Sequence, residues 1–321
     1  MKHILLSLLI SAGFSSAFAE SKWNMATPYP DSQFHTQNIK TFVEEIKTAT
    51  GGDIDITVHA GASLYKAPEI FKAVRSGQVE LGELLLSSLG NDDPIFKVDT
   101  LPFIATDYPS AKKLWEASRE KITAELDKKG AVLLYAVPWP GQNFYSKAPI
   151  ADSSYFKGKK LRSYNATTAE VATHLGAAPT TIEVSNIPQA FSTGQIDAMI
   201  TSSATGVSSQ AWDFVSNYTK VNAWLPKNMV FINKKTWNRL DKKTQTTLKD
   251  LAQQAEARGW ALSEKVNAEK EKALADNGII VSEANEALKK TLSNIGVTMS
   301  AAWLDSTGAD GKAILDAYHA K

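Results

Sequence analysis

Two octapeptides in this chain of 321 residues echo one another. The first is Ala73-Val74-Arg75-Ser76-Gly77-Gln78-Val79-Glu80 and the second is Ala190-Phe191-Ser192-Thr193-Gly194-Gln195-Ile196-Asp197. Each reads as the end of a helix, a glycine stop, an acidic turn and the start of an apolar strand. A hydroxyl pair follows each copy, Ser87-Ser88 and Ser202-Ser203. Any helix-to-strand junction produces part of this pattern. Two lobes of one topology account for all of it, with the hydroxyl loops facing each other across a cleft. A cleft between lobes is where small ligands usually bind.

The second copy has the more regular surroundings. A turn at Lys157-Gly158 leads into a strand over Lys160 to Tyr164. A helix follows with Ala169, Val171, Ala172 and Leu175 on one face, and Gly176 stops it. A strand from Pro179 to Val184, a helix from Ile187 to Ser192 and a strand from Ile196 to Ile200 complete the run. This β-α-β-α-β order predicts an α/β lobe with a largely parallel sheet. Ligands sit off the carboxyl ends of strands in such sheets, and Arg162 and Thr201-Ser202-Ser203 fall near two of those ends.

The first copy predicts strands at Trp23 to Ala26, Ile54 to Val58 and Val79 to Leu86. Asp31 or Ser32 is placed to cap a helix carrying Ile39, Phe42, Val43 and Ile46 on one face. A second helix spans Ala67 to Val74, a third Ala111 to Leu126, and a strand runs from Ala131 to Val137. Pro138 to Asn143 breaks that strand, so the chain is expected to cross to the other lobe near Phe144-Tyr145 and to return near Asn228 to Phe231. Amphipathic helices over Thr244 to Asn277, Ala284 to Leu292 and Gly311 to Ala320 finish the chain. The organisation expected is therefore a leader over 1–19, a first lobe over 20–143 completed by about 229–270, a second lobe over 144–228, and C-terminal helices over 271–321 packing on both.

Lys2-His3, the apolar run Ile4 to Phe14 and Ala17-Phe18-Ala19 have the order of a secretory signal, with cleavage before Glu20 and a periplasmic destination. The run is shorter than the ~20 residues that span a bilayer, so no membrane insertion of the mature chain is expected. Removing the leader takes away Lys2 and no acidic side chain, leaving 34 basic residues against 34 acidic ones. That balance points away from nucleic acid and membrane surfaces as partners. The absence of cysteine excludes thiol nucleophiles, thiolate metal sites and disulfides. The five histidines (3, 35, 59, 174 and 319) form no metal-binding motif, and no nucleophile elbow, phosphate loop or dinucleotide fingerprint occurs. No catalytic residue, metal or cofactor is implied. A hydrolase using one of the serine loops stands as an alternative from a different class.

Among candidate ligand contacts, Arg162 offers a planar fork that donates two parallel hydrogen bonds to a carboxylate; the bland reading is a surface Arg beside Lys159 and Lys160. Glu83 lies in the apolar run Leu81 to Leu86 and must find a partner or shift its pKa. It either accepts from ligand hydroxyl or amino groups or pairs within its own lobe. Trp139, Tyr164, Trp212, Trp224 and Phe231 fall near expected loops or crossings, and Tyr29, Phe34 and His35 near the first loop. Each aromatic either walls a pocket or packs in the core.

Three segments together resemble one family. They are Lys157-Gly158-Lys159-Lys160-Leu161-Arg162, then Leu175-Gly176-Ala177 with Pro179, then Phe191-Ser192-Thr193-Gly194-Gln195-Ile196-Asp197; Leu101-Pro102-Phe103 adds a fourth. Their order and spacing resemble the solute-binding proteins of tripartite ATP-independent periplasmic (TRAP) transporters, the dicarboxylate-binding-protein family. The resemblance implies a two-lobed, type II-like periplasmic binding fold that closes about a hinge. It implies C-terminal helices packed behind the lobes, a small organic anion as ligand, and delivery to a permease of one small and one large membrane subunit driven by an ion gradient. In this reading Arg162 clamps the acid group. Asn143 stands near where many members place a second Arg, and Thr201 near where many place an Asn. That departure suits a monocarboxylate or sulfonate with other polar groups better than a simple dicarboxylate or sialic acid. The expected ligand shell is Arg162, Asn143, Glu83, Thr201, Ser202, Tyr164, Trp139, Trp224, Tyr29 and Phe34. A binding protein serving a sensor kinase or another transporter class is the runner-up.

Overall fold

The computed structural model describes residues 21–320, so the expected leader and its cleavage point lie outside the described residues. In chain order the strands are β1 (Ser21–Ala26), β2 (Ile54–His59), β3 (Leu81–Leu85), β4 (Ala131–Pro138), β5 (Asn143–Ser146), β6 (Lys160–Ser163), β7 (Ala178–Thr181), β8 (Ala198–Thr201), β9 (Asn217–Lys220), β10 (Lys227–Asn233) and β11 (Ile280–Glu283). The α-helices are α1 (Phe34–Ala49), α2 (Ala67–Ser76), α3 (Tyr108–Lys128), α4 (Ala166–His174), α5 (Ile187–Ser192), α6 (Ser203–Ser208), α7 (Lys234–Arg239), α8 (Lys242–Asp276) and α9 (Glu286–Ala320). The strands form two sheets, ordered β2-β1-β3-β10-β4 and β11-β9-β5-β8-β6-β7.

Each sheet contains one strand that runs against both neighbours. In the first sheet it is β10, antiparallel to β3 and β4. In the second it is β5, antiparallel to β8 and β9. The remaining pairs, β1 with β2 and β3, β6 with β7 and β8, and β9 with β11, are parallel. The second sheet is thus more mixed than the β-α-β-α-β run predicts. That run correctly orders β6, β7 and β8, but the strand beside β8 is the one the chain lays down on arrival from the first sheet. The two crossings, residues 139–142 and 221–226, hydrogen-bond to each other as a ribbon. Trp139 N donates to Pro226 O (2.8 Å), Gln142 N to Trp224 O (3.0 Å) and Ala223 N to Gln142 O (3.0 Å).

The octapeptide echo is a repeated piece of structure. Gly77 and Gly194 both take left-handed backbone angles, φ 77° and 68°, which a Cβ would disfavour. Gln78 N donates to Ala73 O (2.9 Å) and Gln195 N to Ala190 O (2.8 Å), the same six-to-one closure of a helix end. The acidic residues have equivalent jobs as well. Glu80 Oε2 accepts from the backbone N of Asn24 on β1, and Asp197 Oδ2 from the backbone N of Lys160 on β6, both at 2.8 Å.

Apolar side chains fill both faces of each sheet. On the first sheet Ile70, Val74, Leu114, Ile122, Met229 and Phe231 pack beneath α2 and α3, while Ile39, Phe42, Ile46, Leu248, Val230 and Ile232 pack beneath α1 and α8. Phe144, Leu161, Val171, Ile200 and Leu292 cover one face of the second sheet, and Tyr145, Ile187, Phe191, Met199 and Tyr218 the other. The long helix α8 buries Leu248, Ala252, Ala255, Gly259 and Ser263. Farther along it, Asn267 accepts from Ser203 and Glu271 from Tyr218, so α8 reaches both sheets. Strands β9 and β11 carry no alternation strong enough to announce them, and pairing with each other and with β5 makes them strands. The helix expected over Ala284 to Leu292 starts two residues later, at Glu286, and it and the one expected over Gly311 to Ala320 are parts of α9, whose backbone departs from helical angles at Gly308 (φ 57°, ψ −129°). Neither Asp31 nor Ser32 caps α1; Gln33 precedes it without a side-chain bond. No described helix is long and apolar enough to cross a membrane.

Candidate functional site

A cavity of about 210 Å³ lies between the sheets, off the carboxyl ends of β1, β3, β4, β6, β7 and β8. Its wall includes Pro28 and Tyr29 after β1, Ser87 and Ser88 after β3, Trp139 after β4, Tyr164 and Asn165 after β6, Glu183 after β7, and Thr201 and Ser202 at the end of β8. Both hydroxyl loops of the sequence echo therefore meet in one space, and a volume of this size suits a compact small molecule.

Arg162 is 3 % exposed and lines this cavity. Strand β6 positions it: Leu161, one residue earlier, points into the core, so alternation sends Arg162 to the other face. Its Nε donates to Ile182 O at 3.0 Å, and its guanidinium lies over the Tyr164 ring, 5.3 Å from the centroid. It forms no ion pair among the described residues; each carboxylate lies beyond salt-bridge distance, although Glu183 also lines the cavity. Burial pulls its pKa down to about 10, with Tyr164, Glu183 and Tyr29 acting in the opposite direction, so the group remains a cation at neutral pH. Buried charges are ordinarily paired. This one presents its donors to a cavity.

Tyr164 is held by its neighbours: Trp224 Nε1 donates to its hydroxyl at 3.2 Å, and that hydroxyl donates to Gln142 Oε1 at 3.1 Å. Across the cavity Tyr29 and Trp139 pack with ring centroids 5.0 Å apart. Both donate to Asn228 Oδ1, the Tyr29 hydroxyl at 3.2 Å and the Trp139 indole at 2.9 Å. Burial, reinforced by the Glu83 carboxylate, keeps the Tyr29 phenol well above its ordinary pKa, so it acts as a neutral donor. Ser202 spends its hydroxyl on the start of α6, accepting from Thr205 N at 3.1 Å and donating to Thr205 Oγ1 at 3.2 Å.

Of the expected shell, Arg162, Tyr29, Trp139, Tyr164, Thr201 and Ser202 line the cavity. Four others support it from behind. Trp224 orients Tyr164. Phe34 packs against Trp139, with centroids 5.7 Å apart. Asn143 pins the crossings, donating to Gly141 O and to the Tyr218 hydroxyl while accepting from Val221 N and Asn222 N. Glu83 is 1 % exposed and takes the paired alternative, accepting from Thr27 Oγ1 (2.5 Å) and Asn228 Nδ2 (2.7 Å). Burial still pushes its carboxyl up to about 7.

Gln142, Asn165 and Glu183 line the cavity without having been singled out in the sequence. Gln142 is the residue before Asn143, where a shift of one position along an extended segment changes the face. Asn165 carried a readable signal as the cap of α4, accepting from Thr168 N at 2.8 Å. Its Nδ2 also donates to Ser87 Oγ at 2.7 Å, a hydrogen bond across the cleft. Thr100 to Thr167 (3.0 Å) and Gln33 to Ser208 (3.3 Å) are further bonds between the halves. Among the described residues no group of three or more His, Asp or Glu is placed to hold a metal ion.

Known proteins resemble this chain in sequence and fold. The family model for bacterial extracellular solute-binding protein, family 7, matches residues 25–303. A Bordetella pertussis extracytoplasmic solute receptor binding pyroglutamic acid is 42 % identical, with 93 % of this chain and 99 % of that one covered and a TM-score of 0.92. A marine metagenome TRAP solute-binding protein specific for pyroglutamate is 40 % identical, with 94 % and 99 % covered and a TM-score of 0.92. The outer membrane transporter protein TsaT of Comamonas testosteroni is 25 % identical over 306 residues, 91 % of this chain and 88 % of that one. Taken with a two-lobed fold and a cavity between the sheets, these matches establish that the chain belongs to family 7 of the bacterial extracellular solute-binding proteins, the periplasmic solute-binding components of TRAP transporters, which hand a small organic anion to a membrane permease.

Proposed function

We propose that this protein captures a compact monocarboxylate bearing neutral hydrogen-bonding groups, with pyroglutamate as the leading candidate, and delivers it to a permease of one small and one large membrane subunit driven by an ion gradient. The observation that carries the reading is Arg162, a buried cation at a cavity wall with no carboxylate of the described residues in salt-bridge reach. Its fork donates to the ligand's acid group. The other ionisable side chain on that wall, besides Arg162 and the tyrosines, is the carboxyl of Glu183, which opposes a second carboxylate on the ligand. Gln142, Asn165 and Thr201 offer neutral donors and acceptors. Tyr29, Trp139 and Tyr164 supply flat apolar surface for a small ring. The two solved relatives above that bind pyroglutamate support the same class. Site roles for Arg162, Tyr29, Trp139, Tyr164, Thr201 and Ser202 as direct contacts, with Glu83, Asn143, Trp224 and Phe34 behind them, belong to this proposal.

Calorimetric titration of the mature protein with pyroglutamate, glutamate, succinate and glucuronate tests it. Pyroglutamate is expected to bind tightest and succinate weakest, and Glu183→Gln is expected to narrow the gap between them. Succinate or glucuronate binding more tightly than pyroglutamate would overturn the assignment.

A further inference from the structure

Glu83 does not touch the cavity, yet it grips one wall of it twice. Its Oε1 accepts from Asn228 Nδ2 at 2.7 Å, and Asn228 Oδ1 accepts from the Tyr29 hydroxyl and the Trp139 indole. Its Oε2 accepts from Thr27 Oγ1 at 2.5 Å, and Thr27 Oγ1 in turn accepts from the backbone N of Tyr29 at 3.3 Å. Register explains the reach. Val230 on β10 stands opposite Glu83, and Asn228 stands two residues away on the same face. We propose that Glu83 is a positioning residue for ligand capture, holding the Tyr29–Trp139 wall through Asn228 and Thr27.

The direction of the Asn228 amide is central. An amide can turn over and exchange its oxygen for its nitrogen. Turned over, it would set its oxygen against the Glu83 carboxylate and its N–H groups against the donors of Tyr29 and Trp139. A charged Glu83 therefore selects the single orientation in which both aromatic donors find an acceptor. Protonation weakens that selection, because the carboxyl gains a donor of its own. Burial pushes this carboxyl up to about 7, which brings its titration into an accessible range. The titratable groups facing it are His35 on α1, with Nδ1 3.6 Å away, Tyr29 on the loop before α1, and Tyr135 on β4; Glu45, Glu256 and Arg258 act on Tyr135 in turn. Burial holds His35 well below its usual value and both phenols well above theirs, so those three do not change charge near neutrality.

The first arm of the test needs no ligand. The indole N–H resonance of Trp139, assigned with Trp139→Phe, is followed by 15N NMR from pH 5.5 to 8.5. It is expected to move with a single midpoint in the wild type and to stay flat in Glu83→Gln. A flat wild-type resonance, or one that still titrates in Glu83→Gln, overturns the proposal. If Glu83→Gln does not fold, Asn228→Ala takes its place with the same expectation and the same overturning result. The second arm rests on the pyroglutamate assignment. At pH 8, Glu83→Gln and Asn228→Ala are each expected to weaken pyroglutamate binding at least tenfold, and the double variant to lose less than the product of the two losses, because Asn228 carries one of the two arms of Glu83. Losses that multiply in the double variant, or a loss under twofold in Glu83→Gln, overturn the relay. A wild type that fails to bind pyroglutamate removes the ligand assignment, and the NMR arm then decides the positioning role alone.

Discussion

Replacing Arg162 by Met separates what this residue does for the fold from what it does for the ligand. Within the protein its guanidinium makes one hydrogen bond, to Ile182 O, and one contact with the Tyr164 ring. The first contributes about 1.5–3 kcal/mol and the second about 0.5–2 kcal/mol. Against them stands the cost of keeping a cation 3 % exposed without an ion pair, several kcal/mol in effective terms. Met fills comparable volume without that cost. The ligand-free melting midpoint of Arg162→Met is therefore expected to stay within a few degrees of the wild type, or to rise. The ligand loses two charge-assisted hydrogen bonds at about 1.5–3 kcal/mol each, so affinity is expected to fall by at least two orders of magnitude. Saturating ligand, at ~100 times its dissociation constant, adds about 2.7 kcal/mol to the wild type, a gain of roughly 4–5 °C in the midpoint. That gain should disappear in the variant. Calorimetry and thermal melts with and without pyroglutamate supply both quantities. A midpoint that drops by more than ~10 °C without ligand, with affinity kept within tenfold, would mean that Arg162 serves the core and that the clamp is misassigned.

The ligand-free protein should become more stable as pH falls from 8 to about 6.5, below which the buried neutral His35 acts in the opposite direction. Glu83 and Asp99 are raised in the fold to about 7 and about 6, so the folded state binds protons there that the unfolded chain does not, and their destabilisation is relieved as pH falls through those values. Glu83→Gln should flatten the upper part of that slope in denaturant titrations, and a wild-type midpoint independent of pH would contradict the shifts. Gly206→Ala should cost about 1–3 kcal/mol, because its Cβ would stand 2.0 Å from the buried Tyr145 hydroxyl; unchanged chemical denaturation would show that α6 yields freely. Asn165→Ala removes the 2.7 Å bond to Ser87 across the cleft and should speed ligand release several-fold in stopped-flow, with the ligand-free midpoint falling only by the roughly 1–3 °C that the lost α4 cap costs. Release at the wild-type rate would show that closure does not draw on that bond.

Much of this fold was legible because local chemistry and tertiary structure agree. The glycines at 77 and 194 demand left-handed backbone, and the acidic residues after them tie down the neighbouring strand in both lobes. Arg162 was legible because a strand of known phase delivers it. Strands β9 and β11 were not, since four residues without alternation become a strand only when a neighbour supplies the hydrogen bonds. Gln142 and Asn143 show the limit at the site. The two amides are adjacent, and only the path of the crossing ribbon sends one to the cavity and the other to Val221 and Asn222. Glu83 illustrates another limit, because its partner Asn228 arrives from a distant strand, and only the register of β3 with β10 joins them.

The strand that each sheet receives late also sets an order in time. Strand β3 lies at the first sheet's interior, yet its neighbour β10 is synthesised only after β5 to β9 of the second sheet. The half begun first therefore stays open while most of the second is laid down. Until residues 227–233 arrive, the row of hydrogen-bonding groups on Leu81–Leu85 is an open edge, and such edges template wrong pairings. The second sheet in turn gains β11 only once α8 has been laid down. Neither half can be cut out as a continuous piece, and a chain halted anywhere before Lys227 carries an unfinished sheet.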